Sequence, residues 1–507
     1  MKTRYSVLVA VVVITVLMLT FGLPTASARG TGGLATASTP GHTIVVKPNG
    51  HDDTADLQAA FNACTSHGWT CTIQLGKGTY FTDQVTSYGF QGVFLGAGQA
   101  ATTIQALPNL PPPNSEYAQD GVPFFAGMPG PSNPWPVLFT FVNGAFRVSG
   151  MTISDTYANP VQGFDYFGGT DTALWSSILV TGQAGQFVTA SVDHVTINGG
   201  PGINLGFNDN DEVAFEGLLL PPGWTNPWAD AIPLMGSFSV TNSVFHDVST
   251  GPFFLNLQDS TGVACYNTLT TSPSLGPSVA ALPFGFYDLS NSQLTICNNL
   301  AVNVPGGAGI IGQQSYFHPV VLPSTVYVTD NVFLNVSIGI YGYAADAVFF
   351  ADWGPLSLGI PATLNTVITG NVFQTDTSSG LFGLPPDTIV PAIALYGLAS
   401  AVVAHNLLVG GGGVELAYEA GTVSSNIILG NIVGVLLYTT VGASVTGNVI
   451  TGSATYGIAL FYDSNDNTVA GNLVKNSGEY DLYTDGTGTG NSWTGNVCAT
   501  SSPPGLC

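Results

Sequence analysis

Ser424-Ser425-Asn426-Ile427-Ile428, Thr446-Gly447-Asn448-Val449-Ile450 and Ala470-Gly471-Asn472-Leu473-Val474 are one phrase written three times. The phrase stands earlier as Cys265-Tyr266-Asn267-Thr268-Leu269, Cys297-Asn298-Asn299-Leu300-Ala301, Thr329-Asp330-Asn331-Val332-Phe333, Thr369-Gly370-Asn371-Val372-Phe373 and Ala404-His405-Asn406-Leu407-Leu408, and it closes at Thr494-Gly495-Asn496-Val497-Cys498. The intervals between successive asparagines are 32, 32, 40, 35, 20, 22, 24 and 24 residues. A period slightly above twenty residues, lengthened by insertions in the earlier copies, marks a solenoid, whose repeats bury their apolar faces only against their neighbours.

A second phrase, Gly-aliphatic-x-aliphatic, recurs at Gly202, Gly339, Gly413, Gly434 and Gly457. Two or three short strands per period describe a coil of parallel β-structure; a leucine-rich repeat would show fixed Leu spacing and a helical return. Stacked coils lie about 4.8 Å apart, so an Asn at the same turn of each coil forms a hydrogen-bonded ladder with a structural role. Cys265 and Cys297 each precede a ladder Asn by two residues, which places them in one column at a separation a disulfide accepts. Continued backward, the column reaches Ser243, His194 and Gly150.

Composition agrees with a β-rich, well-packed chain. Of 507 residues 45% are hydrophobic and 7% charged, with 64 Gly and 32 Pro, and the mean hydropathy is +0.33; short strands and frequent turns are expected rather than disorder. With 7 Lys+Arg against 30 Asp+Glu the net charge is −23. The few scattered cations form no phosphate-binding stripe, so nucleic acid is not an expected partner.

Residues 1–28 carry Lys2 and Arg4, an apolar run and Ala26-Ser27-Ala28, the pattern of a secretory signal cleaved before Arg29. The mature chain is expected to be secreted, free of the membrane and monomeric. Pairing its six cysteines by proximity gives Cys64–Cys71, Cys265–Cys297 and Cys498–Cys507, which suits an oxidising compartment. No pair has zinc-knuckle spacing.

Near the start, Ile44-Val45-Val46 is followed by Asp52-Asp53-Thr54-Ala55-Asp56-Leu57-Gln58-Ala59-Ala60-Phe61, then Gly76-Lys77-Gly78-Thr79-Tyr80. The middle segment predicts a short helix, opened by a capping Asp or Thr, that closes one end of the solenoid. This opening and the repeats resemble the pectate-lyase-like, right-handed parallel β-helix superfamily, and the Cys498-to-Cys507 ending resembles the tail of bacterial secreted β-helix repeat proteins. The resemblance implies an all-β, single-stranded right-handed parallel β-helix with a short N-terminal capping helix. Residues 29–43 read as a linker, 44–105 as the cap and first coils, 106–140 as a Pro-rich loop, and 141–507 as the coils with a disulfide-closed tail.

For activity the resemblance implies a choice among polysaccharide lyases, glycoside hydrolases, epimerases and non-catalytic surface proteins. The Asn-Thr-Asp, Gly-His-Gly and Arg-Ile-Lys phrases of the polygalacturonase type are absent, and the sole Asp-Asp lies in the cap. Arg147 is the only Arg inside the coils, so elimination on an acidic glycan has little in the chain to neutralise the substrate carboxylate, and the negative surface repels such a polymer unless Ca²⁺ bridges them. A glycosidase needs two carboxyl groups facing one cleft. Aligning coils puts Asn256 beside Asp288 and Asp259 beside Asn291, with Asn204 one rung earlier, Gln313 and Gln314 on the next rung, and Tyr341 and Tyr343 beyond. This predicts Asp259, Asp288 and Asp211 as the acids. Asn204, Asn256, His246, Asp247, Gln313 and Tyr341 are the expected binding groups, and Trp224 and Trp228, on a Pro-rich excursion, the sugar-stacking rings. The competing reading makes these residues solvated turns. Asp209–Glu212 and Asp463–Asp466 are oxygen-rich turns that suit Ca²⁺, while the histidines do not pair at metal spacing. The C-terminal coils, with Leu436 and Ala459 outward, look too bland for a site. The expected function is action on, or binding of, a neutral or weakly acidic extracellular polysaccharide, by hydrolysis if catalytic; a non-catalytic adhesion protein and a Ca²⁺-dependent lyase are the alternatives.

Overall fold

The computed structural model describes residues 41–107, 137–154, 176–182, 185–199, 201–208, 234–248, 250–270, 284–305, 310–314, 322–337, 348–352, 361–374 and 391–507. In it each repeat is one rung of a parallel β-helix. Pairing is parallel from the first coil, where His42–Val46 lies against Thr70–Leu75, to the last, where Thr468–Ala470 lies against Ser492–Thr494. The described strands form two sheets, one of 26 strands and one of 14, which we name the first and second sheet. Each coil crosses the second sheet once. The leader and most of the Pro-rich loop lie outside the described residues.

The repeated phrase has a backbone cause. The residue before each ladder Asn takes a left-handed conformation in every coil: His194, Asn242, Tyr266, Asn298, Asp330, Gly370, His405, Ser425, Gly447, Gly471 and Gly495, with φ between 51° and 71°. Gly, Asn and Asp are the residues that adopt this conformation at least cost. The following Asn is buried and completes the turn. The Oδ1 of Asn448 accepts from the backbone N–H (2.9 Å) and the Nδ2 (3.0 Å) of Asn426, while its own Nδ2 donates to Val423 O at 2.8 Å. The same pattern links Asn267, Asn299, Asn331, Asn371, Asn406, Asn426, Asn448, Asn472 and Asn496. Ser243 heads this ladder, its N–H donating to Asn267 Oδ1 at 3.1 Å. It therefore stands in the Asn column, whereas His194 and Gly150 stand one column earlier, among the left-handed residues. The single column expected for all three is two columns.

Inside the coil, strand alternation fills the core with Val, Ile, Leu and Phe. The Phe333 and Phe373 rings stack on successive rungs, 5.5 Å apart at 12°. Helix α1, Thr54–Ser66, closes the N-terminal end by burying Leu57, Ala60, Phe61 and Cys64, with Phe61 edge-on to Phe90 and Phe94 at 5.1 Å. Asp53 is its N-cap residue but makes no side-chain cap bond. Its buried carboxylate instead accepts from Asn49 N (2.7 Å) and Phe81 N (3.0 Å), pinning the cap to the strand Gly78–Thr82. The three disulfides are Cys64–Cys71, Cys265–Cys297 and Cys498–Cys507. Cys265 and Cys297 are register partners on adjacent strands. Among the described residues no helix is long and apolar enough to cross a membrane.

Candidate functional site

The mid-chain acids are placed by the turn that leads from the second sheet back to the first. Asp259 and Asn291 take left-handed conformations there, with φ of 48° and 47°, and Asn291 Nδ2 donates to the exposed Asp259 carboxylate. The strand Thr250–Gln258 pairs with Phe284–Ser290 so that Leu255 meets Tyr287 and Leu257 meets Leu289, which brings Asn256 beside Asp288. The side chains of Asn256, Asp288, Asn204 and Gln313 lie outside the described residues, as do Asp211, Tyr341, Trp224 and Trp228 altogether.

Three expectations change. Asn204 faces Phe253 rather than Asn256, because its strand enters the sheet three positions out of the assumed register. The rung after Gln313 is Val348–Asp352, so Ala351 and Asp352 stand where Tyr341 and Tyr343 were expected. His246 and Asp247 precede the strand Thr250–Gln258 and Asp259 follows it, so these groups do not converge: nine residues of strand separate them, roughly 25–30 Å at ~3.3 Å per residue. His246 Nδ1 bonds Thr270 Oγ1 at 2.9 Å, and its Nε2 lies 3.2 Å from Asp247.

Beyond Asp288 the column turns structural. Tyr287 pairs with Gln313, and the next residue, Gln314, is buried and accepts from Leu289 N at 3.0 Å. Asp352, in register with Gln314, is fully buried and accepts from Thr363 N (2.7 Å) and Leu364 N (3.0 Å). Both of these polar side chains are spent on backbone N–H groups.

Arg147 is committed too. On the outer face of the first sheet its guanidinium bonds the Asp193 carboxylate, which also accepts from Thr241 Oγ1 (2.9 Å) and Asn242 Nδ2 (2.8 Å) and lies 2.9 Å from His194 Nδ1. Burial alone would raise this carboxyl. The bonds from Asn242, His194 and Thr241 and the Arg147 charge outweigh it and hold Asp193 at about 2. The cluster spans three rungs and leaves Arg147 paired to a carboxylate of its own chain.

A different surface gathers chemistry in the coils expected to be bland. Val414 and Leu416 are buried in the core, so Glu415 between them and Ala417 after them point outward. Register stacks Ala394, Glu415, Leu436, Ala459 and Tyr483 in one outward column and Tyr396, Ala417, Tyr438 and Phe461 in its neighbour. Ala417 and Ala459 are fully buried despite facing outward, as small floor positions among rings. The turn that holds Asp259, Asn291 and Gly397 in earlier coils holds Tyr418, Thr439 and Tyr462 here, with φ of 61°, 52° and 51°. A Tyr in left-handed backbone is uncommon; Tyr266 adopts the same conformation before the ladder Asn267.

The rings touch in series. Tyr418 and Tyr438 lie 5.7 Å apart, Tyr438 and Tyr462 4.7 Å, Phe461 and Tyr483 5.2 Å, and Tyr456 and Tyr483 4.6 Å. Tyr418 is 48% and Tyr462 58% exposed. The Tyr396 hydroxyl is hydrogen-bonded to the Glu415 carboxyl. Burial raises Glu415 above the usual carboxylate range, the Tyr396 bond offsetting part of the rise. Burial and the Glu415 charge raise the Tyr396 phenol in turn. Farther along, burial and a bond to Glu479 push Tyr456 up to about 12. The result is an aromatic platform with a half-buried carboxyl in its floor. Sequence reasoning passed over it because only the Leu436–Ala459 column was taken as outward.

Among the described residues no three His, Cys, Asp or Glu side chains are grouped to hold a metal ion. In the Asp463–Asp466 turn, Asn465 Oδ1 accepts from Thr489 N at 2.7 Å and Ser464 Oγ donates to Phe461 O at 2.7 Å; Asp209–Glu212 lies outside the described residues.

Residues 364–501 match the family model described as periplasmic copper-binding protein (NosD). All six cysteines are in disulfides and no donor group of three is assembled among the described residues, so the described part of the matched stretch does not fit a copper centre. No curated protein matches the chain. Similar solved structures include the catalytic domain of a GH87 α-1,3-glucanase in complex with nigerose (11% identity, 90% of this chain and 69% of that one, TM-score 0.45). The periplasmic alginate epimerase AlgG is another (10%, 85% and 77%, 0.34), and so is the Azotobacter vinelandii mannuronan C-5 epimerase AlgE6 A-module (15%, 90% and 96%, 0.32). The fold is a parallel β-helix, and over residues 364–501 the chain is similar to the NosD family.

Proposed function

We propose that this protein works outside the cytoplasm by binding an extracellular polysaccharide on the second-sheet face of its C-terminal coils. One observation carries the reading: aromatic rings on successive rungs, two of them exposed tyrosines held in left-handed turns, surround a carboxyl hydrogen-bonded to Tyr396. Flat apolar faces with hydroxyls at their edges suit sugar rings, which present C–H faces and a rim of hydroxyls. Three disulfides support an oxidising location. Binding is favoured over hydrolysis on this face because Glu415 has no second carboxyl nearby in its own or the neighbouring outward column, where Leu436, Ala459, Ala417 and Tyr438 follow.

The test is affinity electrophoresis of the whole protein through gels cast with neutral polysaccharides. Retardation is expected, and it should vanish in the combined Tyr418→Ala, Tyr438→Ala, Tyr462→Ala variant with an unchanged thermal melt. Equal retardation of that variant would sink the reading.

A second reading, hydrolysis at the coils of Asp259 and Asp288, rests on the exposed Asp259 carboxylate and on the placement of Asp288 one rung away. Asp288 stands one rung and three strand positions from Asp259, so the pair suits the wide carboxyl separation of an inverting glycosidase better than the close one of a retaining enzyme. New reducing ends from a glycan, lost in Asp259→Asn or Asp288→Asn, would establish it.

A further inference from the structure

We infer that the occupant of the platform is an uncharged, extended glycan chain lying parallel to the solenoid axis, with successive sugars on successive rungs. This rests on the binding reading above and narrows it to a ligand class and a direction. The geometry supplies the direction. Register stacks Tyr396, Ala417, Tyr438 and Phe461 in one column, Tyr483 stands in the neighbouring column one rung on, and Tyr418 stands in the turn beside Ala417, so each of five consecutive rungs presents a ring, roughly 19 Å at ~4.8 Å per rung. An extended hexose chain repeats on about the same length as a rung, so sugars can keep step with the rings. A chain running along the strands, across the axis, would meet the aromatic strip at one or two rungs and leave the rest uncovered.

Charge supplies the class. Residues 391–507 contain one Lys, no Arg and seven Asp or Glu, and that Lys475 ends a strand of the first sheet rather than the second. Glu479 and Asp485 border the aromatic strip; Asp485 accepts from Tyr462 N (2.8 Å) and Thr487 N (3.0 Å). A polyuronate would bring a row of carboxylates against acids with no cation between them, and among the described residues no three His, Cys, Asp or Glu are grouped to hold a bridging ion. Neutral hydroxyls meet no such penalty.

The experiment is titration calorimetry of the full chain with neutral gluco-oligosaccharides from disaccharide to octasaccharide and with matched oligogalacturonates, at low and high salt. Affinity should climb with each added glucose to about the pentasaccharide and then level, without salt dependence. Tyr396→Ala and Tyr483→Ala, at the two ends, should each weaken the pentasaccharide about tenfold and leave the disaccharide nearly unchanged. Tighter binding of the uronate series, or affinity that stops growing at the disaccharide, overturns this inference while leaving the platform a glycan site. Binding of no glycan removes both.

Discussion

Two stacks run through the same C-terminal coils to different ends, one repeating a single position on every rung and the other gathering rings from neighbouring positions on successive rungs. The Asn column is interior: from Asn406 to Asn472 each amide is at most 2% exposed and bonded to the rungs on both sides. The tyrosine column is exterior: its rings meet at 4.7–5.7 Å and no backbone group depends on them for closure. Stacking of polar groups inside makes each member necessary to its neighbours, because a buried donor left alone has nowhere to turn. Stacking of rings outside leaves each free to be replaced as far as folding is concerned. Their persistence over successive rungs is therefore what folding does not explain.

The comparison breaks if the inner column proves dispensable. Asn448→Ala removes the acceptor for Asn426 N and Nδ2 and the donor to Val423 O, stranding buried backbone groups at about 1–3 kcal/mol each. A loss of about 3 kcal/mol or more is expected in chemical denaturation, with glycan binding by the remaining folded molecules unchanged. A loss below about 1 kcal/mol would mean that the ladder is ornament and that the Val, Ile and Leu core alone sets the coil.

The two columns were not equally legible in the sequence. The Asn ladder announced itself because nine successive copies put Asn at the position and mostly Gly, Asn, Asp, Ser or His before it; both regularities survive every insertion between those coils. The outward face is held to no such rule. Strands such as Val435–Tyr438 span four residues and so offer two outward positions, and the reading that found Leu436 and Ala459 missed Tyr438 and Phe461 two residues later. In the middle of the chain the obstacle was register. Long insertions left the alignment of Asn204 to guesswork, and it fell opposite Phe253. The split of His246 and Asp247 from Asp259 shows the same limit: residues near in sequence lay at opposite ends of one strand. The cystine column was readable because two cysteines at one offset from the ladder can only be stacked neighbours.

The outer column is sharpened by replacing its rings singly. Tyr438 touches both Tyr418 and Tyr462, so Tyr438→Ala opens the middle of the strip and should cost about tenfold in polysaccharide affinity, about 1.4 kcal/mol. Its melting temperature should stay within a degree or so of the parent, since the side chain is half-buried on the outer face and its hydroxyl bonds Tyr418. A large fall in stability with unaltered binding would reverse the assignment of the two columns and make the tyrosines the structural set.

The smallest effect asks whether interior polar groups serve by hydrogen bonding or by charge. Glu419 is 5% exposed; its Oε2 accepts from Leu398 N at 2.8 Å, and its Oε1 has no partner among the described residues. Burial, with the Asp352 charge adding to it, raises its pKa well above the ordinary value of 4.5 despite the Leu398 bond. A carboxyl raised on folding contributes its full stability below the unfolded value and loses it as pH climbs from there through the folded value. Wild-type protein should therefore lose stability above pH 4.5 relative to Glu419→Gln, whose amide oxygen keeps the Leu398 bond and carries no proton to release. The two should melt together in acid and separate by about 1 kcal/mol at neutral pH, with the glutamine variant the more stable. Differencing the two proteins cancels Asp193 and Asp485, whose lowered values act in the opposite sense. Parallel melting curves from acid to neutral pH would show that Glu419 keeps its charge in the interior, and that this rung differs in kind from the neutral asparagines stacked around it.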